Sequence, residues 1–193
     1  MKRFIASVFF IAAFVSCNSK TKKNEPAATA EKEEASFFPV TNYIKGQIAE
    51  IKNIGITPVS FMSTGKKTDS VWLKTADFDT AFKEFVLPVI DSTNLEQFFS
   101  ESKFADQTVD AYTFTYSPKA NLPDSILLQR WDVYISPSSN TVKRIYIVKK
   151  TTEGKELQLT WQSGKWCKTI CIAKDKTGKQ FVEYEQTIKW SFD

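Results

Sequence analysis

Residues 180–192 read Gln-Phe-Val-Glu-Tyr-Glu-Gln-Thr-Ile-Lys-Trp-Ser-Phe. In this stretch Val182, Tyr184, Gln186, Ile188 and Trp190 alternate with Glu183, Glu185, Thr187 and Lys189. A period of two sends neighbouring side chains to opposite sides of an extended chain, so one side is buried and the other is wet. The same texture recurs upstream in Lys165 to Ala173, Glu156 to Gln162 and Thr141 to Lys150. Before these, Ser125 to Ile135 puts Trp131, Val133 and Ile135 on one side, and Ala111 to Tyr116 does so with Tyr112, Phe114 and Tyr116. The joints are Pro137-Ser138-Ser139-Asn140, Glu153-Gly154, Ser163-Gly164 and Lys176-Thr177-Gly178. Short, turn-forming joints between alternating runs specify an antiparallel meander.

Ahead of the meander the period changes. Val40, Tyr43, Ile44, Ile48 and Ile51 recur at helical spacing over Val40 to Asn53, and Gly55 stands just past the end. Thr57 to Thr64 and Asp69 to Lys74 read as a hairpin around Gly65-Lys66-Lys67. Ala76 to Val86 reads as a second helix with Phe78, Phe82, Phe85 and Val86 on one side, Asp77 and Asp79 in its first turn, and Pro88 beyond it. Asn94 to Ser100 reads as a third, shorter helix. The expected fold is α+β: N-terminal helices packed on a curved antiparallel sheet of about six to eight strands, in one domain over residues 37–193.

Composition removes whole classes of chemistry. The chain has no histidine. Serine and cysteine nucleophile systems that depend on imidazole, and zinc proteases of the HExxH kind, are therefore excluded. The two thiols Cys167 and Cys171 without histidine make a poor zinc set, and no calcium-loop spacing occurs, so no metal, cofactor or catalytic residue is expected. Cys167 and Cys171, four apart on one strand, stand roughly 13 Å apart and do not reach a disulfide. The net charge of +4 falls by two if Lys2 and Arg3 leave with a leader, which argues against a nucleic-acid partner. Gly65-Lys66-Lys67-Thr68 echoes a phosphate-binding loop, but Ser60 stands where the motif needs its first glycine.

Two carboxylate readings stay in view. Glu183 and Glu185 share one side of a strand roughly 7 Å apart, among lysines that suit a solvated edge. Asp132 lies between Trp131 and Val133, where a structural pair with Arg130 is the plainer account. Aromatic residues are 14% of the chain. They serve as core filler, or some of Tyr112, Phe114, Trp131, Trp161, Trp166 and Trp190 line a surface for a ligand or partner.

The beginning of the chain gives an address. Lys2 and Arg3 precede an apolar run from Phe4 to Val15, and Phe14-Val15-Ser16-Cys17 closes it with a small residue before a thiol. A run of about twelve apolar residues is too short to span a bilayer. This layout resembles the bacterial lipoprotein signal, with Phe14 where that motif prefers Leu. The resemblance implies cleavage after residue 16 and acyl chains such as palmitate on Cys17. Residues 18–36 have Ala as their only apolar type, and they carry the Glu31-Lys32-Glu33-Glu34 cluster. They read as a flexible tether of roughly 24 Å.

In the lipoprotein family, Asn18 rather than Asp after the cysteine, followed by Lys20, Lys22 and Lys23, implies the periplasmic side of the outer membrane. The remainder resembles small envelope lipoproteins of double-membrane bacteria, a likeness that implies no activity. Four runs, at Ser70, Thr80, Ser92 and Ser125, resemble the Asp-Ser/Thr-apolar acceptor for O-glycosylation. The expected function is non-enzymatic: a membrane-tethered domain that binds another envelope protein, lipid or glycan. The alternative is a carrier or chaperone for a hydrophobic ligand, and a carboxylate-based hydrolase ranks last.

Overall fold

The alternating stretch that opens this reading is a strand of ten residues, Gln180–Lys189, and it lies inside a sheet rather than at an edge. A computed structural model describes residues 37–192, and these carry a single antiparallel sheet of nine strands. In chain order the strands are β1 (Val59–Thr64), β2 (Lys67–Trp72), β3 (Phe99–Asp106), β4 (Ala111–Pro118), β5 (Leu128–Ile135), β6 (Val142–Lys150), β7 (Glu156–Gln162), β8 (Trp166–Lys174) and β9 (Gln180–Lys189). Their spatial order is β2-β1-β9-β8-β7-β6-β5-β4-β3. Strands β3 to β9 meander, and the β1–β2 hairpin adds itself alongside β9. Gly65, with φ of +62°, sits in the tight Gly65-Lys66 turn of that hairpin, where a positive φ is required.

The helices are α1 (Val40–Asn53), α2 (Phe78–Ala81), α3 (Lys83–Val86) and α4 (Ser92–Leu95). Among the described residues only α1 exceeds a single turn, so this part of the chain is sheet-dominated rather than evenly α and β. Two expected helices are corrected. The one over residues 76–86 breaks at Phe82, whose buried ring stands 5.6 Å from that of Trp161 and 6.3 Å from that of Trp190. Aromatic packing overrides local helix propensity there. The one over 94–100 ends at Leu95, and Phe99 instead begins β3. Phe99 is buried with its ring 4.7 Å from that of Trp131, while the rest of β3 is mostly exposed and polar. An edge strand with one buried anchor has no alternation to reveal it, which is why nine strands stand where six to eight are expected.

The two sides of the sheet differ sharply. On one side, cross-strand neighbours Val133, Ile145, Trp161, Cys167 and Ile188 form a buried row, beside a second row of Trp131, Ile147 and Leu159. The same apolar cluster contains Ile44, Ile48 and Ile51 of α1 with Phe78, Phe82 and Phe85. Polar anchors fix α1 to the β7–β8 turn: Tyr43 donates to Ser163 at 2.8 Å, and Gln47 accepts from the Gly164 amide at 3.0 Å. Lys149, on the buried side, reaches the helices. Its ammonium donates to the Glu84 and Leu87 carbonyls and pairs with the Glu84 carboxylate at 2.8 Å. Those carbonyls end α3, where a cation is favourable. Burial pushes the Lys149 amine below its ordinary value, with the Glu84 carboxylate opposing.

Candidate functional site

The other side of the sheet is half-exposed. Its registers align one residue from every strand in the row Trp72, Val59, Lys189, Trp166, Gln162, Arg144, Tyr134, Thr113, Phe104. The next row runs Phe61, Thr187, Lys168, Thr160, Tyr146, Asp132, Thr115. Aromatic rings thus alternate with cations, an amide and hydroxyls, an unusual composition for the wet side of a sheet. The Arg144 guanidinium lies 4.1 Å from the Tyr134 ring centroid, and the Lys189 ammonium 5.7 Å from that of Phe61. Burial first, then the nearby Glu156 charge, raises the Tyr146 phenol above its ordinary value.

Over β1, β8 and β9 this side sinks into an open groove of about 670 Å³. Phe61, Trp166 and Phe192 supply its apolar surface, and Lys165, Lys168, Lys189 and Glu185 its charge. Lys168 is committed to Glu185 at 2.8 Å. Among the described residues, neither Lys165 nor Lys189 meets a carboxylate within 4.0 Å. The groove therefore offers aromatic area with surplus positive charge at its rim.

No protein-family model, curated protein or solved structure matches this chain. Its chemistry has to be read from its own residues.

The six aromatic candidates from sequence divide. Trp166 lines the groove. Trp131 and Trp161 are fully buried and Trp190 nearly so; all three belong to the core, and none presents a face to a partner. Trp131 is stacked on Tyr116, the rings 4.6 Å apart and 9° from parallel. Tyr112 and Phe114 share the side of Trp131 rather than that of Trp166. They sit at the far end of the sheet in a shallow cleft of about 250 Å³. Phe61, Lys189 and Phe192 are groove residues that the sequence reading passed over. The flanks give no signal, since buried Trp131 stands between Arg130 and Asp132 and half-exposed Trp166 between Lys165 and Cys167; register across the strands separates them. Cys17, its leader and the tether lie outside the described residues.

The carboxylates are engaged in pairing. Asp132 is buried, accepting from Thr115 at 2.6 Å and from Arg130 at 3.0 to 3.2 Å. Glu183 and Glu185 do not share a side as expected. A bulge between Cys171 and Ile172 puts Glu183 out of step, and its carboxylate meets Cys171 at 3.4 Å and Lys155 at 2.9 Å, while Glu185 bonds Lys168. The bond to Lys155 is the main cause holding the Glu183 carboxyl below its ordinary value. Cys167 and Cys171 are free and buried. Burial pushes the Cys171 thiol up to about 11 and that of Cys167 well above its ordinary value. Among the described residues no three Cys, Asp or Glu gather as a metal set.

Proposed function

We propose that this protein is a non-enzymatic binding module. On this reading a lipid on Cys17 holds it at the periplasmic side of the outer membrane, and it grips another envelope component across the half-exposed side of its sheet. The N-terminal helices close the opposite side, which leaves one side of the sheet for a partner. The observation that carries the reading is the Phe61–Trp166–Phe192 groove with its surplus lysines. Apolar rings left in water on a sheet otherwise built to be wet are a docking feature. Envelope anchoring rests on the leader resemblance alone and is tested by the mass of the native N-terminal peptide. Docking is tested by a photo-crosslinking residue in place of Phe61 in living cells, with Lys45 on α1 as control. A defined adduct from position 61 only is expected. Adducts from position 45 only would place the contact on the helices instead.

A second reading has its own observation. Between α1 and the α2–α3 pair, a cleft of about 380 Å³ is lined by Ile48, Phe78, Phe82 and Val86, with Lys45 and Lys52 at its mouth. An apolar cleft beneath short helices suits an acyl chain, the carrier function. Native mass spectrometry of the intact protein decides it: a co-purifying lipid supports the carrier, and its loss on Phe78→Trp places the lipid in this cleft.

A further inference from the structure

The composition of the long row narrows the class of occupant. Resting on the docking reading above, we infer that the half-exposed side takes an acidic polysaccharide, laid along the row through Trp166 and Tyr134. Three observations carry this.

The first is the alternation itself. Trp166 presents ring surface with Lys189 and Gln162 on either side of it, and further along the row the Arg144 guanidinium lies over the Tyr134 ring. A sugar ring has an apolar C–H face that lies flat on an aromatic ring and an edge of hydroxyls that both donate and accept. The Gln162 amide offers one group of each kind, and the flanking cations offer donors. The second is the charge. Glu185 is spent on Lys168 and Asp132 on Arg130, whereas Lys165, Lys189 and Arg144 meet no carboxylate within 4.0 Å among the described residues. Each of those cations stands beside an aromatic side chain. A chain bearing carboxylates or sulfates at intervals complements that pattern, and a neutral glycan leaves it unmatched.

The third is the geometry. The accessible part of the row, from Lys189 on β9 to Tyr134 on β5, crosses five strands over roughly 19 Å and is bounded by buried Val59 and Thr113. It suits a polymer bound along its length, not a small molecule enclosed in a pocket. An extended peptide would be expected at a sheet edge, at β2 or β3, where backbone groups are free, whereas β5 to β9, which carry the accessible part of the row, are paired on both sides. A nucleic acid carries a phosphate at every residue and calls for a denser basic stripe than a row with two surplus cations, Lys189 and Arg144, and Lys165 beside it.

The test titrates the full-length chain in detergent micelles, by calorimetry at fixed low salt. The probes are oligogalacturonate, sulfated dextran, malto-oligosaccharide, oligoglutamate and oligodeoxythymidine. Binding of oligogalacturonate or sulfated dextran is expected, at least about tenfold tighter than of malto-oligosaccharide. Trp166→Ala should abolish it. Lys189→Gln, which spares the aromatic surface, should bring the acidic probe down toward the neutral one. Equal binding of malto-oligosaccharide overturns the acidic requirement while the docking reading stands. Equal or tighter binding of oligoglutamate or oligodeoxythymidine overturns the polysaccharide. Binding untouched by Trp166→Ala overturns both, and binding of neither acidic glycan overturns the inference.

Discussion

Trp161 and Trp166 are five residues apart, yet they lie on opposite sides of the same sheet and meet opposite fates. Trp161 packs against Phe82, Phe85 and Trp190 with ring centroids 5.0 to 5.6 Å away and has no exposed surface. Trp166 floors a groove rimmed by lysines. The difference comes from parity through the β7–β8 turn and from what stands across the neighbouring strands. Aromatic content alone does not mark a site; register across the sheet is what separates Trp166, between Lys189 and Gln162, from the core ring of Trp161.

The comparison predicts its largest effect on the buried side. Trp161→Ala should cost about 3–5 kcal/mol of unfolding free energy in urea melts, the usual toll of a large side chain lost from a core. A cost below about 1 kcal/mol would mean that the buried row is not the core. Next comes Asp132, which lies on the half-exposed side but is itself buried. Asp132→Asn removes the carboxylate shared by Arg130 and Thr115; Arg130 is half-exposed and stays hydrated, so the loss should be about 1–2 kcal/mol, with ligand affinity unchanged. A variant of full stability but altered binding would assign Asp132 to the site instead.

The buried thiols give a pH dependence. With Cys171 held up at about 11 and Cys167 raised by burial, the unfolded chain sheds its thiol protons first. Their contribution is intact below about pH 9, where the unfolded thiols titrate, and is lost as pH climbs through the folded values. Urea midpoints should fall across that range, and the fall should be shallower in a Cys167→Ala, Cys171→Ala double variant. Identical slopes would exclude the thiols. The smallest stability effects belong to the groove. Trp166→Ala and Lys168→Ala should each change stability by less than about 1 kcal/mol, since both act on half-exposed groups. A large loss at Trp166 would make it a structural residue and erase the contrast with Trp161.

How much of this was legible in the sequence follows from the same physics. Strands β4 to β9 were readable because strict alternation and short turns leave few other solutions. Strand β3 was not, because an exposed edge needs no apolar face, and Phe99 alone resembled the end of a helix. The break at Phe82 was hidden as well: it comes from rings contributed by β7 and by residue 190, far away in the chain. For the site, Trp166 was named along with five other aromatics, and local sequence could not rank them. That ranking depends on register across several strands, which brings Phe61 within reach of Lys189 although 128 residues separate them.

If the proposed docking holds, the lysine-rimmed side of the sheet is occupied in the cell. Hydroxyl-radical footprinting of intact envelopes against the purified protein measures this directly. Strong protection of Phe61, Trp166 and Phe192 in envelopes is predicted, with Leu87 and Val89 oxidised equally in both samples. Trp166 oxidised to the same extent in both, with Leu87 and Val89 protected instead, would contradict it.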